Sequence, residues 1–107
     1  MTALALCLAL AVTDGDSIKC AGERVRIFGL DCAEMDTAAG RAAKARLAEF
    51  LAGREVRLER RGMDRYGRTV ARVEAGGQDV ACWMIRQGYC VEYRRYSRGA
   101  YRACAAP

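Results

Sequence analysis

Acidic residues occur at two places in the chain where a cluster could form. Asp14 and Asp16 flank Gly15 in a predicted turn, while Asp31 and Glu34 follow the third predicted strand. Antiparallel pairing of these strands would bring the acidic groups to neighbouring ends of one sheet. Carboxylates held close together raise one another's pKa unless a cation compensates, so the cluster indicates a metal site or a salt-bridge network. Oxygen ligands favour calcium or magnesium, although a D-G-D segment alone is more often an ordinary turn.

The basic residues suit a polyanionic partner. The 107-residue chain has a formal charge of +5, and only two of its eighteen Lys and Arg residues are lysines, Lys19 and Lys44. An arginine fork donates two parallel hydrogen bonds to a phosphate, whereas a salt-bridged surface is the alternative use of so many arginines. The chain contains no histidine. This excludes imidazole zinc sites and mechanisms with a histidine acid or base, so proton transfer must fall to carboxylates.

The cysteines leave two alternatives open. None of the six forms a C-x-x-C pair, so no structural zinc site is predicted, and their even number fits an oxidising compartment. Disulfides are one alternative, with Cys90 and Cys104 a plausible pair for the tail, and free buried cysteines are the commoner one. The spacing does not give the pairing. The six positions are Cys7, Cys20, Cys32, Cys82, Cys90 and Cys104.

The hydrophobic pattern predicts a single domain over residues 1–107. Strands are expected near residues 7–13, 16–21, 24–30, 55–59 and 68–74. The clearest helix begins at Asp36 or Thr37 and ends at Gly53, a second covers residues 80–87, and a weaker helical turn covers 98–104. This order predicts an α+β fold, an OB-fold five-stranded barrel with two to three helices, although other α+β folds share it.

The apolar run at residues 3–12 is not predicted to be a complete signal peptide or a membrane span. No basic residue precedes the run, no cleavage site separates it from Asp14, and it is too short to cross a bilayer. Its second half is expected to form the first strand.

Arg26 and Asp31 present a geometric difficulty. They are five positions apart, so strict alternation along one strand would place them on opposite faces. A bulge between Phe28 and Leu30, at Gly29, would bring them to the same side. A direct ion pair between Arg26 and Asp31 is the alternative use of these two residues.

Four segments together resemble the staphylococcal nuclease (thermonuclease) family. They are VTDGDSIKC at 12–20, RVRIFGLDCAE at 24–34, MDRYGRTVARV at 63–73 and DVACWMIRQGY at 79–89. The segments occur in the family's order, and the resemblance extends from about residue 8 to residue 102. It implies a staphylococcal nuclease-like barrel.

The resemblance also implies a calcium site. Asp16 and Asp31 match the family's calcium carboxylates, the backbone carbonyl of Cys32 would be a further ligand, and Asp14 would lie outside the first ring of ligands. Cys32 stands where the family usually has threonine, and Ala33 stands where it usually has proline. A carbonyl ligand survives the first change, whereas loss of the proline is expected to loosen the loop and weaken metal affinity.

The remaining matches are catalytic. Glu34 matches a glutamate near the attacking water, and Arg26 and Arg68 match two arginines that grip the scissile phosphate. Tyr66 is expected to help shape the site, as a substrate or outer-shell residue. The D-R-Y-G-R segment could otherwise be an ordinary turn in which Gly67 has a positive φ.

The tail YRRYSRGAYR at residues 93–102 mixes arginines with tyrosines. Such a mixture suits contact with a phosphate backbone and stacking on unpaired bases, and a solvated helix edge is the alternative.

These features predict a phosphodiester hydrolase, a calcium-dependent endonuclease acting on DNA, with RNA as a second candidate and with little base specificity. The nucleic acid is the expected partner, with no membrane and no obligate protein partner. A catalytically inactive OB-type module that binds nucleic acid or protein is one alternative, and a small disulfide-stapled extracellular binding protein is another. The resemblance and the cysteine count favour a secreted or periplasmic location.

Overall fold

The structure is a computed structural model that describes residues 4–105. The predicted domain boundaries at residues 1 and 107 and the first residue of the apolar run, Ala3, lie outside the described residues. The strands are β1 (Ala5–Leu6), β2 (Leu10–Asp14), β3 (Ser17–Cys20), β4 (Glu23–Ile27), β5 (Leu30–Asp31), β6 (Val56–Met63), β7 (Thr69–Ala75), β8 (Gln78–Asp79) and β9 (Val91–Glu92). The helices are α1 (Ala38–Leu51), α2 (Val80–Arg86), α3 (Arg94–Ser97) and a 3-10 turn (Arg102–Ala105).

The strands form one seven-stranded sheet and one two-stranded sheet. The large sheet has the order β1-β6-β7-β4-β3-β2, with β8 paired to β7, and the small sheet pairs β5 with β9. The β4–β7 pair is parallel, whereas the other pairs of the large sheet are antiparallel. The mixed sheet curls into a half-barrel accompanied by three helices. The predicted α+β, OB-type fold class is thereby confirmed.

The third predicted strand, residues 24–30, is divided in the structure. β4 ends at Ile27, the chain turns at Phe28 and Gly29, and the short strand β5 follows. Gly29 has a φ of +81°, and a Cβ at this position would overlap the ring of Tyr101. The turn, rather than a bulge within one continuous strand, therefore separates Arg26 from Asp31 and removes the constraint of strict alternation.

Helix α1 begins as predicted and ends one residue early. Thr37 is the N-cap, and its side chain accepts a hydrogen bond from the Gly40 N–H at 3.0 Å. The C-cap is Ala52, and Gly53 follows with a φ of +74°. Helix α2 is capped by Asp79, whose side chain accepts from the Cys82 N–H. Within residues 4–105, no helix is long and apolar enough to cross a membrane.

The core lies between the curved sheet and the helices. Leu47 and Leu51 of α1 and Met84 of α2 are almost completely buried. Trp83 stacks on Phe50 with ring centroids 4.1 Å apart, which joins the two helices. Met84 and Ile85 belong to the buried core, and the partly buried Trp83 packs against it.

All six cysteines form disulfides. The pairs are Cys7–Cys20, Cys32–Cys90 and Cys82–Cys104, so the predicted pairing of Cys90 with Cys104 is wrong, as is the alternative of free buried cysteines. The tertiary packing explains the pairing. The 3-10 turn carrying Cys104 packs on α2, which carries Cys82, whereas Cys90 precedes the strand that pairs with β5, next to Cys32.

Candidate active site

A polar cavity of about 250 Å³ lies between three chain reversals. These are the β2–β3 turn, the loop after β5 and the β6–β7 turn. The cavity is lined by Asp14, Asp16, Arg26, Asp31, Cys32, Ala33, Glu34, Met35 and Arg68. The structure thus brings together seven of the eight site residues expected from the sequence, and Tyr66 lies outside this lining.

The Asp16 side chain is only 15% exposed in the cavity. Its Oδ2 atom lies 3.1 Å from Arg26 Nη1 and accepts a hydrogen bond of 3.0 Å from the Cys32 N–H. Burial raises the pKa of the Asp16 carboxyl to about 6, although Arg26 and the Cys32 N–H act in the opposite direction. Arg26 therefore pairs with Asp16, and the alternative pairing of Arg26 with Asp31 is wrong.

The loop after β5 presents Asp31 and Glu34 to solvent. Among residues 4–105, no hydrogen bond or ion pair engages either carboxylate. The backbone of Glu34 is nevertheless fixed, because its carbonyl accepts from the Thr37 hydroxyl at 2.6 Å and the Thr37 N–H at 3.0 Å. Gly40 is packed so closely that a Cβ there would overlap the Glu34 carbonyl. The start of α1 therefore anchors a glutamate whose side chain remains available.

Asp64 organises the β6–β7 turn and holds Arg68. Its Oδ1 atom accepts from the N–H groups of Tyr66 and Arg68, both at 2.9 Å, and its Oδ2 atom accepts from Arg68 Nε at 2.7 Å. Although burial acts to raise it, these hydrogen bonds lower the pKa of Asp64. Gly67 has a φ of +79°, as the turn requires. The sequence reasoning assigned no role to Asp64, although its place at the start of D-R-Y-G-R was a local signal for it.

Tyrosines and arginines lie beside the cavity. The Arg26 guanidinium is 5.8 Å from the Tyr93 ring centroid, and Tyr93 and Tyr96 have centroids 5.1 Å apart. The Arg68 guanidinium is 5.6 Å from the ring of Tyr66, which is 60% exposed. Tyr96 is 61% exposed. The aromatic surface formed by these three tyrosines therefore borders both arginines of the cavity.

Glu92 holds the tail that carries Tyr93. Its carboxylate accepts from the Ser97 hydroxyl and, at 3.0 Å, from the Tyr101 N–H. Burial acts to raise the pKa of Glu92, but the hydrogen bonds from Ser97 and Tyr101 dominate and lower it. The tail is thus folded against the domain as helix α3 and the 3-10 turn, not as one helical turn at residues 98–104.

The donor set fits a hard cation held by few side chains. No three His, Cys, Asp or Glu side chains within residues 4–105 are grouped closely enough to hold a metal ion. The expected ligands are two carboxylates, Asp16 and Asp31, with the Cys32 carbonyl, which leaves much of the coordination to water and substrate oxygens. A buried carboxylate with a raised pKa is stabilised when a cation approaches, so the chemistry of this set is compatible with calcium.

Comparison with known proteins identifies the class. The sequence profile of the Staphylococcal nuclease homologue family matches residues 24–105, and the chain belongs to this family. The acidic β2–β3 turn precedes the matched segment.

Three relatives extend the match toward the N-terminus of the chain. An uncharacterized endonuclease of Haemophilus influenzae is 33% identical over 96 residues, covering 85% of this chain and 54% of the relative. The succinoglycan biosynthesis protein ExoI of Rhizobium meliloti is 37% identical over 103 residues, with coverage of 85% and 54%. A micrococcal nuclease of Shigella flexneri is 33% identical over 100 residues, with coverage of 81% and 58%. The chain spans little more than half the length of these relatives.

Proposed function

We propose that this chain is a calcium-dependent nuclease that hydrolyses the phosphodiester backbone of single-stranded or flexible DNA, and of RNA as a second substrate. The observation that carries the proposal is the shared cavity, which is lined by four acidic residues and two arginines. A binding surface for a polyanion has no need of several acidic residues, since their carboxylates would repel the phosphates. Family membership and the names of two relatives, an endonuclease and a micrococcal nuclease, support nuclease activity.

Asp16, Asp31 and the carbonyl of Cys32 are the residues that would hold the calcium ion. A bound calcium ion would neutralise charge on a phosphate oxygen and orient water. Within the protein, the Arg26 guanidinium and the Cys32 N–H contact Asp16 Oδ2 and offset part of the effect of burial, which disfavours the ionised carboxylate. Asp14 accepts a long hydrogen bond of 3.4 Å from the Asp16 N–H and so supports the turn.

Glu34 would receive the proton of the attacking water. Glu34 lines the cavity and is exposed, and its carboxylate accepts no hydrogen bond from residues 4–105, so water can reach it. Its backbone is held by Thr37, which limits where the carboxylate can move. As the water oxygen bonds to phosphorus, the water proton passes to Glu34 and the leaving oxygen takes a proton from solvent.

Arg26 and Arg68 would stabilise the charge that develops on the phosphate oxygens. Each guanidinium is held before substrate arrives, Arg26 by Asp16 and Arg68 by Asp64, with side chains 17% and 27% exposed. Cations placed in advance act on the transition state without a reorganisation cost, which is where electrostatic catalysis gains most. The unused N–H groups of each fork remain available for phosphate oxygens.

The aromatic surface of Tyr66, Tyr93 and Tyr96 favours unpaired substrates. Every base has a face that can stack on an exposed ring, whereas bases within a duplex are already stacked on each other. Stacking is tolerant of sequence, which agrees with little base specificity.

The proposal is tested by digesting heat-denatured DNA with calcium, with a calcium chelator, and with the variant Glu34→Gln. We expect rapid cleavage by the wild-type chain with calcium, none with chelator, and a rate at least about 100-fold lower for the variant, because its amide cannot accept the water proton. The matched control is Glu49→Gln, on the exposed face of α1, whose carboxylate is paired with Arg46. This variant should cleave at the wild-type rate.

Equal cleavage in all of these reactions would contradict the proposal. Binding of DNA without cleavage under any of the conditions would instead identify the chain as an inactive OB-type binding module.

A further inference from the structure

Cys32 connects three parts of the cavity. Its backbone N–H donates to Asp16 Oδ2 at 3.0 Å, and its sulfur is bonded to Cys90, with the two Cα atoms 4.5 Å apart. Cys90 immediately precedes β9, where Val91 pairs with Asp31. The disulfide therefore ties the loop of the expected calcium ligands to a strand that lies 58 residues further along the sequence.

The side chain of Cys32 also packs beneath the turn that carries Asp16. A Cβ added at Gly15 would lie 3.1 Å from both Cβ and Sγ of Cys32 and 2.7 Å from Cβ of Ala43. Only glycine fits between these atoms without displacing them. A movement of the Cys32 sulfur would therefore change the support of the acidic turn.

Few other contacts fix this part of the loop. β5 is two residues long, and the segment from Cys32 to Glu34 has no regular structure. The next anchor is the Glu34 carbonyl, which is bonded to Thr37. Fixing the backbone of a residue costs conformational entropy of the same order as one hydrogen bond contributes, so the hydrogen bond from Cys32 to Asp16 needs a further restraint to persist.

We infer that Cys32 is a positioning residue and that its disulfide with Cys90 sets the calcium affinity of the cavity. The disulfide holds the Cys32 N–H against Asp16 and keeps the Cys32 carbonyl and Asp31 at a fixed place beside it. The inference rests on the proposed function, since it concerns the same site. It gives the disulfide a local role in addition to its general restraint of the unfolded chain.

The test compares two double variants that each remove one disulfide. Cys32→Ser with Cys90→Ser should bind calcium about 10-fold or more weakly in isothermal titration calorimetry, which is the usual effect of losing a residue that orients metal ligands. Cys82→Ser with Cys104→Ser removes the bond between α2 and the 3-10 turn, away from the cavity, and should bind calcium as the wild-type chain does. Circular dichroism establishes that each protein is folded.

Two further measurements cover the cases in which this comparison fails. Gly15→Ala keeps all three disulfides but presses on Cys32, so it should also weaken calcium binding if the first double variant does not fold. Amide hydrogen exchange of the metal-free proteins should be faster at position 32 in the Cys32→Ser, Cys90→Ser variant than in the wild-type chain, while exchange at Val73 in the buried sheet stays slow in both.

Equal losses of calcium affinity in both double variants, or no loss in the first, would overturn the inference. Calcium binding by Gly15→Ala at the wild-type affinity would do the same. If the wild-type chain binds no calcium, the proposed function fails. Unchanged exchange at residue 32 would then separately show that the disulfide does not order the loop.

Discussion

Asp16 depends on positive charge supplied by other parts of the chain. Its burial disfavours the ionised carboxylate, which is expressed in the raised pKa of about 6, and Arg26 is its nearest cation. A substrate phosphate that attracts Arg26 would withdraw part of that support. A calcium ion at Asp16 would replace the positive charge of Arg26. Under the proposed function the cation and the phosphate therefore bind cooperatively.

At the residue scale, the clearest prediction concerns Arg68. Arg68→Ala should lower the rate of DNA cleavage about 100-fold or more, because it removes one of two preorganised cations at the phosphate. The fold should persist, since the side chain lies at a turn and Asp64 keeps its backbone hydrogen bonds. The measurement is the initial cleavage rate, together with circular dichroism of the purified variant.

Arg86→Ala is the matched control for Arg68. Arg86 lies at the exposed end of α2 and does not line the cavity. A similar rate loss in this control would mean that total positive charge, rather than the position of Arg68, governs cleavage.

The sequence indicated most of the cavity's residues but not how they are held. Asp31 could be selected because it follows a predicted strand near other acids, whereas Arg68 could be selected only from the resemblance of the D-R-Y-G-R segment to the nuclease family. The part played by Cys90 was not predictable, because it depends on β5 and β9, two strands of two residues each that leave no periodic signal.

At the scale of elements, the start of α1 supports the loop that carries Glu34. Thr37 is at once the N-cap of the helix and a donor to the Glu34 carbonyl. Gly40, in the first turn of the helix, leaves the space that this carbonyl occupies. The position of a proposed catalytic group thus depends on how one helix begins.

Gly40→Ala should reverse the usual effect of this substitution. Replacing a helical glycine by alanine normally stabilises by about 1 kcal/mol. Here the added Cβ would overlap the Glu34 carbonyl, so we expect a loss of about 1–3 kcal/mol in the free energy of unfolding, as for other overpacked sites, together with slower DNA cleavage. Urea unfolding and the digestion assay provide the two measurements.

The neighbouring exposed position supplies the control for Gly40. Ala39→Gly should lower the free energy of unfolding by no more than about 1 kcal/mol and leave the rate of DNA cleavage unchanged. A stabilised, fully active Gly40→Ala protein would show that the loop does not rest on the helix.

Local signals predicted the elements, and long-range contacts decided their limits. The turn signals at Asp14–Gly15 and Ala21–Gly22 predicted the first two hairpins. The apolar spacing of α1 predicted the helix. The end of β4 was anticipated only as a bulge at Gly29, because the close packing of Tyr101 against Gly29 is a long-range contact that the local sequence does not show. The parallel pairing of β4 with β7 likewise has no signature in either strand alone.

At the scale of the whole molecule, Glu23 ties three strands together. From β4 its carboxylate accepts two hydrogen bonds from Arg60 of β6, at 2.9 and 2.6 Å, and one of 2.8 Å from the Thr69 hydroxyl of β7. The hydrogen bonds from Arg60, followed by that from Thr69, lower the pKa of Glu23 to about 2. The carboxylate therefore favours the folded chain only while it is ionised.

Glu23→Gln should destabilise the protein by about 1 kcal/mol at neutral pH, as expected for a bidentate ion pair near the surface. Because the folded-state pKa is depressed, the stabilisation is complete above the ordinary value of 4.5 and is lost as the pH falls toward about 2. Denaturant unfolding at several pH values measures the free energy of unfolding of both proteins. The difference in this free energy between wild type and variant should become smaller as the pH falls over that interval.

A matched glutamate tests the specificity of this effect. Glu55→Gln removes an exposed ion pair with Arg57, its neighbour two residues along the chain, and should change stability little at any pH. If the free energies of unfolding of Glu23→Gln and wild type differed by a constant amount down to pH 2, the pH-dependent stabilisation would not come from Glu23.

The parallel pairing of β4 with β7 also determines when the two arginines of the cavity can come together during synthesis. Arg26 lies opposite Val70, and Arg68 immediately precedes Thr69, the partner of Val25. A nascent polypeptide leaving the ribosome therefore contains the first guanidinium long before the second, and the two can meet only when β7 has emerged. Under the proposed function, a nascent chain that ends before Arg68 lacks one of the two guanidinium groups that would contact the phosphate.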